Sequence, residues 1–342
     1  MDEQTAKSLL SFAETAGPTL RGPEAKVMLG RFEQQNGSLV SALQWFVGQG
    51  RTDEGLRLAT SLVPFWMATK RLADGFDWFE KVLALPGGDD ARRGRALFDA
   101  GYLAFWIGDD QRSTSLQNQA VELGRQANSV TVTALALTGL ARLALRSHDF
   151  DNARRLCREA LSVTEGTDDQ SGRSSAMHVL GVAAQMAGDL IEAREVMSRR
   201  IALAREMGNV ATVSSESGNL SMVERQLGNL DTAEALAREA LDIDFRRSDE
   251  MSIPWKVNAL AAVAKDRGDF NRAASLIGIA DATMEASGGA WPPDELAHYE
   301  QTVAATSQAM GSAEFEKART WGRSLTTTDG VRFALRTDSP ST

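Results

Sequence analysis

Apolar and polar positions along this chain follow the spacing of helices rather than strands. Between Pro86 and Pro254 there is no proline and no alternating β-branched run, and apolar residues recur on a helical period. Short turns punctuate the pattern: Gly108-Asp109, His148-Asp149, Gly188-Asp189, Gly228-Asn229 and Gly268-Asp269, each 40 residues after the last. A fixed period of that length is the mark of a solenoid built from stacked helical hairpins.

The repeat extends into the unit. Ser113, Ala153, Ala193, Ala233 and Ala273 follow the turns at constant distance, and Leu116, Leu156, Val196, Leu236 and Leu276 follow them in turn. Upstream stand Gly101, Ala141, Gly181, Ser221 and Ala261, each 12 residues before its small counterpart. Small residues recurring once on each of two helices let the helix axes approach closely. This pattern resembles the tetratricopeptide repeat (TPR), with the small pair joined by Ala120, Ala160, Ala240 and Ala280 farther along the second helix and broken there by Arg200. Because the period is 40 rather than 34, both helices are expected to be about a turn longer than usual.

The chain ends carry a narrower resemblance. Leu39, Ala42, Leu43, Trp45, Pro64, Phe65, Trp66, Gly75, Trp78 and Leu83 match the segment that opens the C-terminal TPR region of LuxR-type and antibiotic-regulator-type STAND ATPases. Ser38 stands where that family has Asn, and residues 273–335 resemble its terminal cap. The expected fold is all-α, a right-handed TPR-like superhelix. A helical cap over 1–52 would precede the repeat array of 53–289, followed by a second cap over 290–335 and a disordered tail over 336–342. No Gly-x-x-x-x-Gly-Lys-Ser/Thr loop occurs, so the chain reads as the sensor part without the ATPase and DNA-binding parts.

Composition narrows the function. The net charge is −9, which argues against nucleic acid as a partner of this chain alone. No apolar run approaches the roughly 20 residues of a membrane span, and the N-terminus lacks a signal pattern, so the expected location is cytoplasmic. Cys157 is the single cysteine, and it falls on a core-facing position of its repeat. His148, His178 and His298 lack metal spacing, and His148 occupies a turn. No nucleophile, metal or dinucleotide motif is present, so neither an enzyme nor a cofactor is expected.

The most informative positions lie on the first helix of each hairpin. The TPR resemblance implies that these A helices line a concave groove. The inward stripe then reads Leu58, Leu62, Phe65 and Trp66 in a degenerate first unit; Phe98, Tyr102, Phe105 and Trp106; Thr138, Arg142, Leu145 and Arg146; His178, Val182, Gln185 and Met186; Gly218, Met222, Arg225 and Gln226; and Asn258, Ala262, Lys265 and Asp266. Apolar walls with a few polar groups suit ligand binding. The candidate contacts are Phe98, Tyr102, Phe105, Trp106, Thr138, Arg142, Arg146, His178, Gln185, Met186, Met222, Arg225 and Asn258. Gly218 would leave room for a guest. The expected function is a sensor or adaptor that holds a peptide, a protein segment or a small anionic amphipathic ligand, in bacterial regulation or secondary metabolism. The alternatives are a scaffold that uses its convex face or ends and an enzyme with an unrecognised site in the groove, and the expected partners include a second copy of the chain.

Overall fold

The computed structural model describes residues 1–21, 25–287, 289, 291 and 293–336, and among them all regular structure is helical. In chain order the helices are α1 (Glu3–Ala16), α2 (Ala25–Gly48), α3 (Thr52–Ala68), α4 (Leu72–Leu83), α5 (Asp90–Ile107) and α6 (Asp110–Gln126). Next come α7 (Val130–Arg146), α8 (Phe150–Val163), α9 (Gln170–Met186), α10 (Leu190–Glu206), α11 (Val210–Gln226) and α12 (Leu230–Arg246). The last five are α13 (Ile253–Asp266), α14 (Phe270–Ala286), α15 (Pro293–Met310), α16 (Ser312–Arg323) and α17 (Thr327–Leu335). A short 3-10 segment, Gly17–Arg21, joins α1 to the chain that follows.

The turns explain the period. Gly108 is left-handed at φ 92°, and its N–H and that of Asp109 donate back to the Ala104 carbonyl at 3.1 and 2.9 Å. The Asp109 carboxylate then accepts the Arg112 N–H at 3.0 Å. One Gly-Asp pair therefore ends a helix and caps the next. His148 adopts the same turn at φ 60°, as expected for a turn residue, with Asp149 donating to Ala144 at 2.8 Å. A second series of left-handed turns, at Asn128, Gly208 and Ser248, falls midway between members of the first. Helices α6, α7, α9, α10, α11, α12 and α14 are all 17 residues long, the extra turn that the period implied.

The small residues meet as the spacing required. The Ser113 hydroxyl donates to the Gly101 carbonyl at 2.7 Å, and the Ser221 hydroxyl to the Ala233 carbonyl at 2.7 Å. Ala153, Ala193 and Ala273 are fully buried.

The chain divides into two compact units, the first being Met1–Ala187 and the second beginning at Gly188. In the first, α1 and α2 pack on α3, and Phe32 stacks on Phe65 at 5.5 Å. Trp66 meets Phe79 edge-on at 6.0 Å and lies over Gly75, where a Cβ would sit 2.5 Å from the indole. Trp66 thus locks α3 to α4. In the second unit, α14 and α16 cross backbone to backbone. A Cβ on Gly278 would lie 2.0 Å from the Arg319 carbonyl oxygen, and one on Gly322 would lie 2.1 Å from that of Ser275. The Arg336 carbonyl is held by Arg238 at 2.7 Å, and residues 337–342 of the expected tail lie outside the described residues.

Candidate functional site

The aromatic part of the stripe forms as one ladder on α5. Asp89 caps this helix by accepting the Arg92 N–H at 2.9 Å. Steps of four and three residues then bring Phe98, Tyr102 and Phe105 to one face. Phe98 stacks on Tyr102 at 6.1 Å, while Trp106 meets Tyr102 and Phe105 edge-on at 6.1 and 5.4 Å. Three of the rings are half-buried, and Trp106 is 48% exposed. At the start of the ladder, Arg95 pairs with the buried Asp99 at 3.0 Å and lies 5.7 Å from the centre of the Phe98 ring. The Asp99 charge holds the Arg95 guanidinium above its ordinary pKa.

Helix α7 supplies the basic edge. The Arg146 guanidinium stacks 3.5 Å above Phe105, donates to the Phe105 carbonyl at 2.9 Å and pairs with Asp110 at 2.5 Å. Sequence reasoning placed Arg146 beside the aromatics but missed Asp110. Arg142 is half-buried, and its charge, with that of Arg158, offsets part of the burial that pushes the Cys157 thiol up to about 12. That thiol is fully buried, as its register position implied. Thr138 departs from the expected stripe: it is 1% exposed, and its hydroxyl donates to Ala134 of its own helix at 2.8 Å. On α9, His178 and Gln185 are half-buried and Met186 is 49% exposed.

The second unit uses the same register differently. Arg225 pairs with Asp266 at 2.7 Å, and Lys265 reaches the same carboxylate at 2.7 Å. Burial pushes the Asp266 carboxyl up, but the hydrogen bonds from Lys265 and Arg225 outweigh it and leave the group below its ordinary range. Gly218 does not hold space for a guest. A Cβ there would lie 2.5 Å from the Lys256 ammonium, so Lys256 already occupies the room. Met222 is half-buried, and Asn258 is buried with its carbonyl oxygen unpaired.

One residue with a bearing on the ladder escaped sequence reasoning. Gln117 is 1% exposed and donates to the Phe98 carbonyl at 3.2 Å, while its own carbonyl oxygen has no partner. It is wedged between Gly101 and Gly139, where added Cβ atoms would lie 2.7 and 2.5 Å away. Its register equivalents are Cys157, Met197, Ala237 and Ile277, so the signal was a polar residue at an apolar position. Among the described residues no group of three His, Cys, Asp or Glu side chains could hold a metal ion, and no helix is long and apolar enough to cross a membrane.

Comparison with known proteins agrees with this architecture. A protein of Mycobacterium tuberculosis named as an HTH-type transcriptional regulator is 25% identical over 176 residues, covering 47% of this chain. The chain matches only 19% of that relative's length. A Rap protein solved in complex with competence and sporulation factor aligns over 97% of this chain and 100% of its own, with a TM-score of 0.59 and 12% identity. A signal transduction ATPase with a tetratricopeptide repeat sensor, from Pyrococcus horikoshii, aligns over 94% of this chain and 55% of its own, with a TM-score of 0.56 and 8% identity. At such identities these structures share the fold alone. The MalT-like TPR region matches residues 140–328, more than half of the sequence. With its stacked hairpins and paired small residues in register, the chain belongs to the MalT-like TPR region family.

Proposed function

We propose that this chain is a non-enzymatic, cytoplasmic recognition module of a bacterial regulator, and that the A-helix face of α5 and α7 takes a peptide or protein segment. The observation that carries this reading is the ladder of Phe98, Tyr102, Phe105 and Trp106, whose last ring is 48% exposed. Aromatic side chains of this kind dominate binding energy where a partner covers them. The regulatory setting rests on the name of the mycobacterial relative and on the sensor in the Pyrococcus ATPase. The choice of a peptide draws on the Rap protein solved with its factor.

An anionic group on the ligand would be taken by Arg146 after displacing Asp110. That pair is exposed by 35% and 50%, and such surface pairs are worth only about 0–1 kcal/mol, so the exchange costs little. Arg142, His178, Gln185 and Met186 would extend the surface along α7 and α9. Met222, Arg225 and Asn258 are assigned to packing and ion pairing in the second unit rather than to this ligand.

Selection of a phage-displayed random peptide library on the purified full chain tests the reading. Peptides recovered should lose at least about tenfold in affinity on a Tyr102→Ala/Trp106→Ala variant and little on Arg155→Ala, which alters the second helix of the next hairpin. Peptides insensitive to the double substitution but lost on Arg155→Ala would replace this reading with a scaffold that works through its B helices.

A further inference from the structure

Helices α4–α6 and α12–α14 are counterparts in the repeat register, and the chain itself covers the second set. In the second unit, α17 lies on α12, α13 and α14. Gly330 brings its backbone against Ile279, where a Cβ would lie 2.7 Å from the side chain, and Val331 and Ala334 are fully buried. A helix end leaves unpaired carbonyls, and two arginines take these. Arg238 donates to Leu335 and Arg336 at 3.2 and 2.7 Å, and Arg272 to Ala334 and Arg336 at 3.1 and 2.9 Å.

In the first unit, the corresponding helices α4, α5 and α6 enclose an open groove of about 730 Å³, with Leu83, Leu97, Leu116 and Leu123 among its walls. Helix α4 is the shorter of the two counterparts, with 12 residues where α12 has 17. Arg93 ties off the early end of α4, donating to the Leu83, Leu85 and Gly87 carbonyls at 2.7–2.9 Å. Superposing the turn glycines Gly108 and Gly268 puts Arg112 at the position of Arg272, Ser115 at Ser275 and Leu116 at Leu276. Superposing Lys70 on Gly228 puts Glu80 at the position of Arg238. One carbonyl-binding arginine is therefore kept, and the other is reversed in charge. Arg112 and Glu80 lie 3.5 Å apart, both more than half exposed.

We propose that the α4–α5–α6 groove docks a short amphipathic helix of a partner protein, seated as α17 is seated on α12–α14. Its apolar face would rest on Leu97, Leu116 and Leu123, and its C-terminal carbonyls would meet Arg112. The charge reversal specifies a Lys or Arg in its last turn, which Glu80 would pair with and which also suits a helix C-terminus. The site is formed by α4, α6 and Leu97 of α5, and it does not use the rings of Phe98, Tyr102, Phe105 and Trp106.

The test uses the full chain and a side-chain-crosslinked, fluorescent peptide of sequence Thr327–Arg336, which has the required basic last turn in Arg332. Titration read by anisotropy should give saturable binding below about 100 μM. Leu116→Glu should weaken it at least about tenfold, and Glu80→Lys about threefold. Because Leu116 is partly buried, Ser115→Trp serves as a second block at an exposed position, with helicity checked by circular dichroism. Absence of binding, or binding that survives both Leu116→Glu and Ser115→Trp in folded protein, overturns the proposal.

Discussion

The A-helix stripe keeps one register in both units and has two chemistries. On α5 it is a ladder of four aromatic rings that ends in a half-exposed indole. On α11 and α13 the same positions are taken up by the protein itself: Lys256 lies over Gly218, and Asp266 gathers both Arg225 and Lys265. Where the chain supplies a partner, a position that looks available is structural. On α5 the chain covers the rings only in part, with Arg95 over Phe98 and Arg146 over Phe105, and the Trp106 indole is left half exposed. A repeat fixes which face a residue occupies, and the residues of adjoining repeats decide what that face does.

The second unit is the one in which packing takes precedence, and its tightest point should respond most. Gly278→Ala or Gly322→Ala forces a Cβ into a backbone carbonyl and should cost about 3 kcal/mol or more in denaturant unfolding. A loss below about 0.5 kcal/mol would mean that α14 and α16 do not cross there. In the first unit, Arg146→Ala removes the stack on Phe105 and the pair with Asp110. Both are partly exposed, so the expected loss is about 1 kcal/mol, and unchanged stability would show that Arg146 is free for other work.

Asp244 distinguishes the units by pH. Burial pushes its carboxyl above the ordinary 3.8, although Ser214 donates to it at 2.6 Å and Lys256 and Arg247 act against the rise. A carboxyl raised on folding favours the folded state below pH 3.8, and that advantage is lost as pH rises through the raised value. Asp244→Asn should therefore be more stable than the parent near neutral pH, and the two should converge below pH 3.8. A parent more stable than the variant at neutral pH would show that Lys256 holds the charged form. Gly218→Ala should have the smallest effect, within about 0.5 kcal/mol. The flexible end of Lys256 can move aside, and alanine regains helix propensity.

The fold was legible where its signals are local. A Gly-Asp pair ends one helix and caps the next with its own atoms, and three such turns, with His148-Asp149 and Gly228-Asn229 at the same spacing, disclosed the 40-residue period. Two of the three intervening turns stayed hidden because Asn128 and Ser248 adopt left-handed backbone without glycine, which left Gly208 without a period. The α14–α16 crossing was hidden as well, since Gly278 meets a helix outside the repeat pattern. The candidate site divides the same way. The ladder of Phe98, Tyr102, Phe105 and Trp106 follows from spacing within one helix. The partners of Arg146 and Gly218 lie 36 and 38 residues away on neighbouring hairpins, and no periodicity names them. Thr138 shows the limit of register, since a hydroxyl on the stripe turned back to its own helix.

The central claim is that the aromatic face of α5 recognises a polypeptide. Its most direct test is the affinity of a library-selected peptide for the wild-type chain and for the Tyr102→Ala/Trp106→Ala variant, measured by calorimetry alongside thermal unfolding. The account predicts a loss of at least about 1.4 kcal/mol in binding, with the variant still folding in one cooperative transition although the half-buried Tyr102 and half-exposed Trp106 are cut back. Equal affinity for both proteins would contradict it and would leave the ladder a packing feature of the first unit.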